Sequence, residues 1–310
     1  MKESKISPLV AIHCLVYNHE PYLRDCFEGF IMQQTNFPFV AIVHDDASID
    51  GSATIVREYE QKYPHIFKPI YEIENQFSKR DGSLERIMNK MIDDTGAKYV
   101  AMCEGDDYWI DPYKLQKQVD FLEKNPRYSI CFHKTKTLIH HSNELKDEFL
   151  VREMLGESTI CDLASNNYIH TPSVVFKRGM LDFGLLEHIL PCMPLDYAMW
   201  MLLADKGNIY KINEYMAVYR YGAGFWESKS NIERNIAMIK VLSKLSVICS
   251  ENKTIIEQQL ENIIKTLRLM IDKKDDEIIK VKTSISYRLS NVVMFPLRKI
   301  KQVLFLILKK

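Results

Sequence analysis

The sequence predicts an α/β protein with a mostly parallel sheet flanked by helices. Three observations lead there. Short apolar runs alternate with helix-spaced segments from Leu9 to Leu122. The connections between them are of ordinary length. The apolar runs end on polar clusters, as strands do when ligands bind outside their carboxyl ends.

Taken in order, Leu9–Val16 is an apolar run of the kind a buried parallel strand needs, and it ends at Tyr17-Asn18. Pro21 suits the first turn of a helix through about Gln33, because a missing N–H is no loss there. Phe39–Val43 is a second strand, ending on Asp45-Asp46, and Asp50-Gly51-Ser52 opens a helix through about Lys62. Ile66–Ile73 is a third strand and Leu84–Ile92 a helix by spacing. Tyr99–Cys103 is a fourth strand that runs into Glu104-Gly105-Asp106-Asp107. Asp111-Pro112 then starts a helix with the face Leu115, Val119 and Leu122. Residues 135–170 are less regular. Beyond them the spacing predicts a short strand at Ser173–Phe176, a helix over Pro194–Ala204 and a closing pair of strands, Ile209–Ile212 and Tyr215–Tyr219.

Gly222-Ala223-Gly224 breaks the pattern and the composition changes from about Asn231, which divides the chain into an α/β domain over 1–225 and a helical extension over 226–310. Ile232, Ile236, Ile239 and Leu242 recur at helical spacing, as do Ile256, Leu260, Ile263 and Leu267, with a break near Ser250–Lys253. A helical hairpin or a short dimeric coiled coil through 231–282 would satisfy that pattern. From Tyr287 to Lys310 basic and apolar residues mix. This pattern belongs to an interfacial helix on a membrane surface or, alternatively, to a terminal helix docked on the core.

The 310 residues carry 41 basic and 41 acidic side chains, so no global positive field points to nucleic acid. Seven scattered cysteines without a C-x-x-C pair argue against a disulfide framework and a structural zinc site. The N-terminus has no apolar signal stretch, and no run reaches the ~18–20 apolar residues of a spanning helix. A cytoplasmic protein, peripheral on the inner face of the membrane if the tail binds there, is expected.

The polar strand ends carry the chemistry. Asp106 and Asp107, adjacent carboxylates after a buried strand, repel each other unless a cation or hydroxyl resolves them. Mg²⁺ or Mn²⁺ takes such oxygen ligands and bridges to substrate phosphates. The alternative is a solvated capping turn. Asp46 could accept from the imide N–H of a uracil or thymine ring, or could cap the next helix. Tyr17 could stack on a base or pack at the strand end. Asp196, at a helix start, is an N-cap or a general base for an acceptor hydroxyl. Arg80 could meet a phosphate or lie in a solvated loop.

Together, Val16-Tyr17-Asn18, Asp45-Asp46-Ala47-Ser48-x-Asp50-Gly51 and Glu104-Gly105-Asp106-Asp107-Tyr108-Trp109 resemble the family 2 glycosyltransferases of the GT-A, Rossmann-like fold, over about residues 8–225. The resemblance implies inverting transfer from a nucleoside diphosphate sugar, UDP- or dTDP-type, to a glycan or lipid-linked acceptor in bacterial surface polysaccharide or lipopolysaccharide assembly. It places Tyr17, Asn18, Asp46, Arg80 and Asp106 on the donor, Asp107 and Asp106 on the metal, with Asp107 the direct ligand, and Asp196 as the base. Tyr221-Gly222-Ala223-Gly224 stands where many relatives have a histidine and a glycine pair. Two competing functions share these residues: a nucleotidyltransferase, against which the missing Gly-rich phosphate loop counts, and a catalytically inactive membrane-attached scaffold.

Overall fold

The computed structural model describes residues 7–147, 156–222, 224, 226 and 228–283. Strand β1 (Val10–Val16) is central because Val10, Ile12, Cys14 and Val16 all bury fully in one apolar cluster. Helix α1 (Leu23–Ile31) covers that cluster with Leu23, Cys26, Phe27 and Phe30. Strand β2 (Phe39–Asp45) pairs parallel to β1, and α2 (Ser52–Lys62) adds Ile55, Val56 and Tyr59. Strand β3 (Phe67–Tyr71) pairs parallel to β2 at the edge. The short helix α3 (Gln76–Lys79) leads into α4 (Ser83–Thr95), which packs on β1 and β2. Its buried residues Leu84, Met88 and Ile92 are one turn apart, as a single apolar stripe requires. Strand β4 (Tyr99–Met102) then pairs parallel to β1 on its other side.

After β4 the sheet becomes mixed. Strand β5 (Tyr108–Trp109) packs on α1, where a Cβ on Gly29 would sit 2.9 Å from the Trp109 nitrogen, so only glycine fits. Helix α5 (Lys114–Lys124) is followed by β6 (Tyr128–Ile139), twelve residues long, in a region whose sequence pattern looks irregular. The reason is that its buried face includes His133, Thr135 and Thr137, which read as loop residues. Short strands β7 (Glu144–Lys146) and β8 (Gly156–Ser158), helix α6 (Ile160–Ser165), β9 (Val175–Lys177) and α7 (Phe183–Glu187) follow. Helix α8 (Leu195–Ala204) lies against β6. The expected closing pair of strands is one strand, β10 (Asn208–Tyr221), with register shifts at Ile212/Tyr215 and Tyr215/Ala217. The order across the sheet is β3-β2-β1-β4-β9-β6-β10-β5, so β5 follows β4 in sequence yet lies at the opposite edge.

Helix α9 (Asn231–Ile248) begins with a capping box between Ser230 and Glu233 and packs on α8. The Lys244 ammonium donates to the carbonyls of His188 and Ile189 at 2.8 and 3.2 Å. A turn at Ser250–Asn252 separates α9 from α10 (Lys253–Thr283), where the spacing places a break. One compact unit runs to Glu261, beyond the domain boundary expected at 225, and a second begins at Asn262. No helix among the described residues is long and apolar enough to cross a membrane. The basic-apolar tail, 287–310, lies outside the described residues.

Candidate active site

The carboxyl ends of β1, β2 and β4 meet at one edge, and their loops are laced together. Asn18, with φ +55°, donates its main-chain N–H to Ser48 Oγ at 3.0 Å, and its side-chain Oδ1 accepts from Ile49 N at 2.9 Å. The main-chain N–H groups of His19 and Glu20 donate to Ser52 Oγ and Asp50 Oδ2, and Gly51 N–H donates back to Glu20. Asn18 therefore shapes the loop that carries Tyr17, whose ring is 46% exposed at the rim.

Asp46 is buried, and each carboxylate oxygen accepts a main-chain N–H from α3: Gln76 N at 2.6 Å and Phe77 N at 3.0 Å. The Asn75 amide donates to the Asp46 carbonyl at 3.0 Å. The helix held by this carboxylate is thus the 76–79 turn, while Asp50 Oδ1 takes Ser52 N at the start of α2. Arg80 ends α3 in the left-handed region, φ +54°, with its guanidinium 3.8 Å over the Phe77 ring.

The acidic turn hangs on β1 through Gly105 N–H, which donates to the Leu15 carbonyl at 2.9 Å. A Cβ on Gly105 would lie 2.7 Å from His19 Nδ1 and 3.1 Å from Val16 and Leu23 side chains. From the other side β10 closes the turn. Arg220 N–H donates to Asp107 Oδ1 at 2.7 Å, and Arg220 Nε donates to the Asp106 carbonyl at 3.0 Å. The guanidinium lies 4.2 Å over the Tyr22 ring, whose hydroxyl meets His140 Nδ1 at 3.3 Å. Burial, then the neighbouring Asp106 charge, pushes the Asp107 carboxyl well above the usual carboxylate range. Burial lowers the His19 imidazole against the pull of Asp106 and Asp50.

Asp107 is only 3% exposed, whereas Asp106 is half-buried. Asp107 Oδ1 is thus turned inward to Arg220, and Glu104 and Asp106 are the half-buried carboxylates of the turn. Among the described residues no three His, Cys, Asp or Glu side chains cluster to hold a metal. The carboxylates of the turn fit a hard divalent cation that takes its remaining oxygens from phosphate and water.

Asp196 sits in the first turn of α8, half-buried, with Oδ1 accepting from Tyr197 N at 2.7 Å. The loop before it reaches Arg80: Pro191 and Met193 line a cleft together with Arg80 and Phe77. Sequence reasoning missed Arg220, Tyr22, His19 and His140. The first of these acts through both its main-chain N–H and its Nε, on residues 113 and 114 positions earlier in the chain, a distance at which no local pattern marks the contact.

A model of glycosyl transferase family 2 matches residues 12–140. An uncharacterized Mycobacterium tuberculosis protein is 34% identical over 220 residues, 71% of this chain and 61% of that protein, so this chain spans about three fifths of the relative's length. An uncharacterized glycosyltransferase of Methanocaldococcus jannaschii is 30% identical over 218 residues, 69% of this chain and 71% of that protein. The chain belongs to the family 2 glycosyltransferases. A protein described as a putative teichuronic acid biosynthesis glycosyltransferase, TuaG of Bacillus subtilis, is 28% identical and matched over 69% of this chain and 79% of its own. Among solved structures, Staphylococcus aureus TarS in complex with UDP-GlcNAc superposes with a TM-score of 0.62 at 16% identity, covering 82% of this chain and 71% of TarS 1-349. At that identity the likeness speaks for the fold, which is the one the family resemblance implies. The candidate residues Tyr17, Asp46 and Asp106 lie at the carboxyl edge of the sheet.

Proposed function

We propose that this chain transfers a sugar from a nucleoside diphosphate sugar to an acceptor hydroxyl, with inversion, in assembling a bacterial surface polysaccharide. The observation that carries the reading is the acidic turn itself. Arg220 and Asp107 fix its shape, so that half-buried Asp106 stands at the edge that Tyr17 and the 72–80 segment also reach. The name of TuaG supports the polysaccharide setting, and the UDP-GlcNAc complex of TarS supports a uridine-type donor.

A divalent cation at this edge would be held by Asp106 and Glu104 and would supply charge neutralisation for the departing diphosphate. The rest falls to the chain's own side chains. Tyr17 offers its exposed ring to the base. Asp46 positions the 76–80 segment and so Arg80, rather than reaching the base through a carboxylate already engaged twice. Asp196 accepts the proton of the attacking hydroxyl. Attack from the face opposite the diphosphate inverts the anomeric carbon.

The test is turnover of a panel of UDP- and dTDP-linked hexoses by wild type, Asp106→Asn and Asp196→Asn, with the product anomer read by NMR. Each variant is expected to lose about a hundredfold or more in turnover. Near-normal turnover in both, or a product with the donor's anomeric configuration, sinks the reading.

A further inference from the structure

Helix α8 carries Asp196 in its first turn, and the helical extension holds α8 on both sides of that residue. Upstream of Asp196, the Lys244 ammonium of α9 donates to three consecutive carbonyls, His188 at 2.8 Å, Ile189 at 3.2 Å and Leu190 at 3.4 Å. An ammonium has three N–H donors and no acceptor, so three converging carbonyls match it. At the far end of the helix, Asn252 Nδ2 donates at 2.9 Å to Oδ1 of Asp205, the residue that caps α8. Between these two holds α9 packs on α8 itself, with its own Ile239, Leu242 and Leu245 buried.

The carbonyls that Lys244 gathers lie six to eight residues before Asp196. Pro191 and Pro194 stand between, and each ring fixes its own φ, so this stretch has few torsions with which to absorb a shift. Within α8, Tyr197, Trp200, Met201 and Leu203 are fully buried, and a helix packed that closely moves as a unit. The placement of Asp196 is therefore set in part from residues 244 and 252, which the sequence pattern assigns to a separate extension.

We propose that Lys244 is a positioning residue for Asp196, with Asn252 as the second hold on the same helix. The inference rests on the reading of Asp196 as the base. A base displaced by about 1 Å from the hydroxyl it serves loses up to about a hundredfold in rate while the donor still binds.

The test uses the full chain with Lys244→Met, Lys244→Arg and Asn252→Ala, the first and the last also combined with Asp196→Asn. Turnover is measured below the onset of unfolding of each variant, so that a fall reports geometry rather than unfolded protein. Lys244→Met should lower kcat by about 10- to 100-fold with the donor KM within about twofold of wild type. Lys244→Arg keeps donors within reach of the same carbonyls and should recover most of that loss. Asn252→Ala should lower kcat by a smaller factor, about three- to tenfold, again with KM kept. On the Asp196→Asn background, neither substitution should lower kcat further by more than about twofold, because the group it positions is already gone. Full kcat in both Lys244→Met and Asn252→Ala overturns the assignment. So does a further loss of about tenfold on the Asp196→Asn background. A raised donor KM with kcat kept also overturns it, since that places the effect on Arg80, which shares a cleft with Pro191 and Met193. If Lys244→Met does not fold, Asn252→Ala and its double variant carry the same test. Normal turnover in Asp196→Asn alone is a different result: the base reading itself then fails, whatever Lys244→Met does.

Discussion

The main-chain N–H of Arg220 donates to the carboxylate of Asp107 at 2.7 Å, joining residues 113 positions apart. The last strand of the sheet thereby closes the acidic turn that follows the fourth. Two neighbouring carboxylates accordingly have separate tasks, one inside the protein and one at its edge.

That division predicts opposite outcomes for two similar substitutions. Asp107→Ala leaves a buried N–H without its acceptor and should lower stability by about 1–3 kcal/mol. Asp106→Ala removes a half-buried side chain and should leave the melting temperature within a few degrees of wild type while turnover falls about a hundredfold or more. Thermal unfolding and a donor assay on both variants check this. Loss of stability in Asp106→Ala alone would reverse the assignment.

Asp46 gives a second prediction. Its two oxygens hold Gln76 N and Phe77 N at 2.6 and 3.0 Å, so Asp46→Ala releases α3 from the sheet. The expected loss is about 2 kcal/mol, two main-chain donors losing their partner. Asp46→Asn should rescue only part, since an amide presents one acceptor where two are used. Limited proteolysis should find Lys79 and Arg80 cut faster in both variants. Unchanged cleavage there argues against the anchoring role.

Much of this arrangement is legible in sequence, and the exceptions share a cause. The strands β1, β2 and β4 announce themselves because a strand buried on both faces must be an apolar run. The polar ends Tyr17, Asp46 and Asp106 stand out for the same reason. Strand β6 hides because His133, Thr135 and Thr137 face inward, and polar alternation reads as loop. Arg220 hides because its main-chain N–H and its Nε meet residues 113 and 114 positions earlier, and nothing in its own stretch of sequence marks them. What the sequence lacks in each case is the partner, which the topology alone supplies.

Gly105 offers a test of the turn's packing that leaves its carboxylates in place. An added Cβ would lie 2.7 Å from His19 Nδ1, too close for either to stay put. Gly105→Ala should cost about 1–3 kcal/mol through overpacking. His19→Ala in the same chain should recover a measurable part of the loss, because it removes the nearest obstacle. The remainder belongs to Val16 and Leu23, at 3.1 Å. Additive losses in the double variant, read by denaturant titration, would show that His19 is not what the Cβ meets.

Lys114 predicts a pH dependence whose sign follows from its surroundings. The ammonium is fully buried, donates to Gln118 Oε1 at 2.9 Å and lies 4.1 Å over the Trp109 ring. Burial lowers its pKa from 10.5 to about 7. Above pH 7 the folded chain therefore releases this proton while the unfolded chain keeps it until about pH 10.5. The unfolded state binds more protons across that window, so stability rises with pH there and is lost as pH falls through 7. Buried thiols oppose the trend at higher pH: burial raises Cys131 to about 12, and the folded chain then holds a proton the unfolded one has lost. Lys114→Met keeps those thiols and removes the lysine, so the difference between the two proteins isolates the ammonium. Between pH 7 and 8.5 wild type should gain on the variant by roughly 1 kcal/mol per pH unit. A constant difference in denaturant midpoints over that range would mean that Lys114 stays charged in the fold, held by Gln118 and Trp109 more strongly than burial disfavours it.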